Sequence, residues 1–88
     1  MAEFQNLGVF LKEKRISSKY TQAGLALSLG DVHSQFVSNW ERGLCAPPGH
    51  CLAKLIDILK LNRVKLMDVM LEDSRAEIEA KIFKKKSK

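Results

Sequence analysis

Apolar residues recur along the chain at three- and four-residue intervals, in short blocks that each close on a turn signal. A helix repeats its inner face at that spacing. No block alternates apolar and polar residues as a half-buried strand does, so the pattern predicts an all-α chain. A first helix over residues 6–15 places Leu7, Phe10, Leu11 and the aliphatic stem of Lys14 on one side, with Asn6 as its cap. Thr21 caps a second over 22–29, whose inner side is Leu25, Ala26 and Leu29; Gly30 ends it, because the residue beyond a helix often needs positive φ. A third spans 34–43 and closes at Gly43. Pro47-Pro48-Gly49 then breaks the chain. A fourth, over 50–60, turns Cys51, Leu52, Leu55, Ile56 and Leu59 inward, and Asn62 caps a fifth carrying Leu66, Val69 and Met70. Ser74-Arg75-Ala76-Glu77 has the form of a capping box. It predicts a separate sixth helix, or a frayed tail, with Ile78, Ile82 and Phe83 on one side; so short a segment is marginal unless it packs on something.

The third block is unusual in its polar side. Phe36, Val37 and Trp40 form the expected core stripe, and the other side carries Ser34, Gln35, Ser38, Asn39 and Arg42. Solvent faces usually carry Lys and Glu, whereas Ser and Asn are mediocre helix formers. Short amides and hydroxyls suit a different task. The major groove of B-DNA admits a helix, and its base edges present donors and acceptors that Gln, Asn and Ser can match. A fully charged face would hold phosphates without telling sequences apart. Ser34, Gln35, Ser38 and Asn39 are therefore the candidate base-reading set. Phe36, at the edge of the stripe, is expected to pack in the core, with contact to a thymine methyl as the alternative.

Bulk composition adds limits. Eighty-eight residues with 45% hydrophobic content suit one small core. The organisation expected is a domain over 1–71 and a C-terminal amphipathic helix or lysine-rich tail over 72–88. No apolar run approaches the roughly 20 residues of a membrane helix, and the first residues lack a signal-peptide layout, so the expected location is the cytoplasm, with no membrane partner. The net charge of +5 is not spread over the chain. Up to Ala80 the charges balance, and the excess sits in Lys81, Lys84, Lys85, Lys86 and Lys88. Locally, Lys12, Lys14, Arg15 and Lys19 crowd one segment against Glu13 alone. Cys45 and Cys51 are too few for a disulfide framework and are read as free thiols. With His33 and His50 they match no zinc spacing. No metal, cofactor or catalytic constellation is expected, and the chain does not read as an enzyme.

Thr21-Gln22, Leu25-Ala26, Leu29-Gly30, then Val37-Ser38, Glu41-Arg42-Gly43 and Pro47 together resemble the Xre/Cro (lambda-repressor-like) helix-turn-helix family. Leu7-Gly8, Leu11 and Arg15 before them, and Leu52, Lys54, Leu55, Leu59 and Leu66 after, extend the resemblance over about residues 5–71. Between Gly30 and Glu41 the chain has one residue more than the family pattern, read as Asp31, which leaves Asp31, His33 and Ser34 open as caps of the third helix. The resemblance implies a compact five-helix fold that binds double-stranded DNA as a transcriptional regulator, a repressor of phage or bacterial type, found at the nucleoid when bound. It implies phosphate contacts from Gln22, with Arg42 and Gly43 near the DNA backbone, and a partly buried salt bridge between Arg15 and Glu41. Lys19 is a further phosphate candidate, ahead of Lys12 and Lys14. It also implies a homodimer on an inverted repeat, its surface drawn from the fifth helix and the C-terminal helix through Val69, Met70, Ile78, Ile82 and Phe83. Two alternatives stand beside it: a protein-interaction module, antitoxin-like, docking through the C-terminal helix, and a helical scaffold without DNA binding.

Overall fold

The computed structural model describes residues 3–30 and 32–83, with the backbone alone at Phe83. Five helices follow in order: α1 (Gln5–Ser17), α2 (Gln22–Ser28), α3 (Ser34–Glu41), α4 (Gly49–Leu59) and α5 (Arg63–Phe83). There is no strand among the described residues. None of these helices is long and apolar enough to cross a membrane.

One core joins the helices. Leu7, Phe10 and Leu11 of α1 meet Leu25, Ala26 and Leu29 around α2, Val37 and Trp40 of α3, Cys51, Leu55 and Leu59 of α4, and Leu61 and Leu66 at the start of α5. All but Leu61, which lies between α4 and α5, are positions that the helical spacing turns inward; Leu52, Ile56, Val69 and Met70, expected inward as well, are partly buried against them. Phe36 is a correction: it is 52% exposed rather than packed in the core. At about 100° per residue it lies roughly 40° from Trp40 and 100° from Val37, about 70° off their shared direction.

The ends follow local chemistry in most places. Thr21 Oγ1 accepts from the Gly24 N–H at 2.9 Å, and Asn62 Oδ1 accepts from the Lys65 N–H at 3.0 Å. Gly30 and Gly43 both take positive φ, 103° and 78°. His33 is the cap of α3, its Nδ1 accepting from the Gln35 N–H at 3.0 Å. The cap left open between Asp31, His33 and Ser34 is thereby decided, while Asp31 itself lies outside the described residues.

Two expectations fail. Asn6 does not cap the first helix, which starts a residue earlier with Phe4 at the N-cap position and no side-chain cap bond. Its acceptor comes instead from far along the chain: the buried carboxylate of Asp73 accepts from the N–H of Asn6 and of Leu7, both at 2.9 Å. The second failure has the same origin. α5 runs unbroken through Ser74–Glu77, so no sixth helix begins there. A capping serine must leave helical φ and ψ, but Asp73 is held in the helix against α1, and no Gly or Pro interrupts residues 63–83.

Asp73→Ala should therefore destabilise the fold by about 2 kcal/mol, through the lost cap and a stranded buried N–H. Urea unfolding measures this, with Asp73→Asn, which keeps one acceptor oxygen, expected to lose less.

Candidate functional site

The outer face of α3 is built from behind. Val37 and Trp40 are buried, so the opposite side of the helix must face out. A polar cluster fixes the end of the helix. Glu41 receives Arg15 side-on: Nε bonds Oε2, and Nη2 bonds Oε1 at 3.1 Å. Arg15 Nη1 also donates to the Tyr20 carbonyl at 2.8 Å, and Gln22 Nε2 donates to Glu41 Oε1 at 3.0 Å. One carboxylate thus ties α3 to α1 and to the first residue of α2. The side chains of the ion pair are only 11% and 4% exposed, for Arg15 and Glu41 respectively.

α1 approaches this same end closely. A Cβ built on Gly8 would lie 2.5 Å from the Glu41 carbonyl oxygen and 2.8 Å from that of Trp40. Only a residue without a side chain allows that crossing. Beyond Glu41 the chain turns at Gly43, whose carbonyl accepts from the Phe4 N–H at 3.1 Å.

On the outer face Gln35 is exposed, and Ser34, Ser38 and Asn39 are half-buried. Gln35 Nε2 donates to Asn39 Oδ1 at 3.0 Å, and Arg42 Nη2 donates to the same oxygen at 2.9 Å. Gln35, Asn39 and Arg42 therefore form one bonded row along the helix. These bonds use the Asn39 oxygen and the Gln35 nitrogen. Among the described residues the Gln35 oxygen and the Asn39 nitrogen make no side-chain bond, so the row offers an acceptor and a donor at fixed spacing. Phe36 sits beside it and lines a shallow apolar groove with Val32, Trp40, Cys45, Pro48 and Cys51.

Of the residues singled out from the sequence, Ser34, Gln35, Ser38, Asn39 and Arg42 share α3 or its C-cap, and Gln22 reaches Glu41 on that helix. Lys19 is exposed in the turn after α1 and holds φ of 67°, a left-handed conformation that usually falls to Gly. Val69 and Met70 are half-buried against the core, and Ile78 and Ile82 are exposed on α5. Cys45 is an exposed and Cys51 a buried free thiol. The residue that sequence reasoning missed is Asp73, which carried no local signal of its partner. A scan against family models, a search of curated proteins and a search of solved structures each found no match for this chain.

Proposed function

We propose that this protein binds double-stranded DNA sequence-specifically, as a helix-turn-helix regulator of the Xre/Cro (lambda-repressor-like) type, with α2 and α3 as the paired helices and α3 as the recognition helix. The observation that carries the reading is the row of amide and hydroxyl groups on α3, held outward by buried Val37 and Trp40 and by the Glu41 anchor. Bidentate pairing to adenine needs an amide oxygen and nitrogen at one base edge, and Gln35 and Asn39 supply both. Ser34 and Ser38 border the row. Gln22, Lys19, Arg42 and the Gly43 turn take the phosphate side, where contacts position the protein without reading sequence. The chain acts as a homodimer on an inverted repeat, as a cytoplasmic repressor, without catalysis or cofactor.

Selection of bound sequences from random duplexes at two salt concentrations tests this. The wild-type chain should enrich an inverted repeat. Gln35→Ala/Asn39→Ala should keep its thermal stability and its salt-dependent affinity for random DNA, while its preference for the enriched repeat falls by at least about tenfold, since each good amide–base pair is worth about 1–3 kcal/mol. A wild-type chain that enriches no sequence at either salt concentration overturns the proposal.

A further inference from the structure

The groove behind α3 holds chemistry that the DNA reading leaves unused. Cys45 and Cys51 both line it, together with Phe36 and Trp40 of α3 and His50 of α4. It measures about 310 Å³ and its walls are mostly apolar. The two thiols sit differently. Cys45 is exposed, in the segment between α3 and α4. Cys51 is 3% exposed, in the first turn of α4. An accessible thiol beside a second cysteine is the arrangement of an oxidant-sensing residue and its resolving partner. Among the described residues no three His, Cys, Asp or Glu groups gather as a metal site, so His50 and the two cysteines do not form one. The two thiols are left to react with each other rather than to share an ion.

The chain between them has the freedom to bring them together. Residues 46–50 alone separate them. A disulfide needs its two Cα atoms within about 7 Å. The segment leaving α3 is fixed: the Leu44 N–H donates to the Asn39 carbonyl at 3.0 Å, and Pro47 is buried. The first turn of α4 is held more weakly. Its first helical bond runs from the Leu52 N–H to the Pro48 carbonyl at 2.8 Å, and Pro48 at the N-cap gives the N–H groups before it no side-chain acceptor. A Cβ at Gly49 would meet nothing within 4 Å, so the backbone there has open space to move into. Movement of residues 49–51 toward Cys45 is therefore the closing motion.

We propose that Cys45 and Cys51 form an oxidation site, converted to a disulfide by a small neutral hydroperoxide. Neutrality suits the apolar walls, which penalise a charged oxidant. The Cys45 thiol gives its proton to solvent, and its sulfur attacks the hydroperoxide at the terminal oxygen. The S–O bond forms, the O–O bond breaks, and the departing oxyanion takes up a proton. The Cys51 sulfur, its own proton lost to solvent, then attacks the Cys45 sulfur. The S–S bond forms, the S–O bond breaks, and hydroxide leaves and is protonated to water. The two thiols lose two electrons and the hydroperoxide gains them. The bond joins the exit of α3 to the entry of α4, against Trp40, the single tryptophan of the chain. This site goes beyond the DNA reading and does not depend on it.

Hydrogen peroxide added to the reduced full chain tests it, read by alkylation of the remaining thiols, intact mass and peptide mapping. The wild type should lose the mass of two hydrogen atoms, resist alkylation at both cysteines after unfolding, and give a peptide that joins Cys45 to Cys51. The yield should not depend on protein concentration. Trp40 emission should fall in step, because a disulfide against an indole quenches it, and dithiothreitol should restore it. Cys51→Ala should stop at a sulfenic acid on Cys45, trapped by dimedone. Cys45→Ser should slow the loss of the Cys51 thiol at least about tenfold, since the accessible sulfur is the one that meets the oxidant. Cys45 is on the surface, so that variant keeps the test free of any folding defect in Cys51→Ala. A wild type whose Cys45 takes up oxygen while Cys51 stays open to alkylation overturns the proposal. So does a Cys45–Cys45 disulfide between two chains, a chain that forms no disulfide, or a Cys45→Ser variant whose Cys51 is oxidised as fast as in the wild type.

Discussion

Replacing Arg15 with alanine is expected to lower the unfolding free energy by about 3–5 kcal/mol. For 88 residues the whole stability is of the order of 4–13 kcal/mol, so the variant stands near the edge of folding. The loss is large because the Glu41 carboxylate is almost wholly enclosed and loses the guanidinium that faces it. Gln22 still donates to Oε1, which holds the effect to this range rather than beyond it. Arg15 also supplies the Tyr20 carbonyl with a donor, so the turn before α2 loosens with it. Urea denaturation gives the measure, with the slope unchanged if only stability moves. A replacement of both partners, Arg15→Met/Glu41→Leu, should recover much of the loss, because an enclosed ion pair gains little over well-packed apolar groups. An Arg15→Ala protein within 1 kcal/mol of wild type would falsify the anchoring role given to this pair.

Gly8→Ala should cost about 3 kcal/mol, against the sign that helix propensity gives. In an exposed helix that change gains up to about 1 kcal/mol. Here the added Cβ would meet two backbone carbonyls at 2.5 and 2.8 Å, and backbone cannot rotate aside as a flexible side chain can. Either α1 or the end of α3 must move, and Glu41 moves with it. Overpacking of this kind costs about 1–3 kcal/mol, sometimes more, and the displaced ion pair adds to it. Gly24→Ala is the control: its Cβ would stand 3.1 Å from the Thr21 hydroxyl, a side-chain atom in an exposed turn. That variant should lie within about 1 kcal/mol of wild type by thermal melting.

What could be read from the chain and what could not divides along the distance over which each signal acts. The helices were legible because apolar spacing, the Thr21 and Asn62 caps and the Gly30 and Gly43 exits all act within one or two turns. Trp40 and Val37 pointed inward for the same reason. Phe36 did not, since a position on the flank of a stripe has no local cue to its burial. Ser74–Glu77 matched a capping box in composition, yet a neighbour bonded to the other end of the chain kept it helical. The pairing of Arg15 with Glu41 across 26 residues followed from the family resemblance, and nothing in the spacing required it. The addition of Gln22 to that pair as a direct donor to the carboxylate is information only the packed structure holds.

The Asp73 latch also sets an order in time. Its carboxylate belongs to a residue 66 positions after the Leu7 amide it secures. At a synthesis rate of about 5–20 residues per second, it is made about 3–13 s later. Throughout that interval the first turn of α1 lacks its acceptor, so a nascent chain that already holds both paired helices must wait for α5 before its opening helix is sealed.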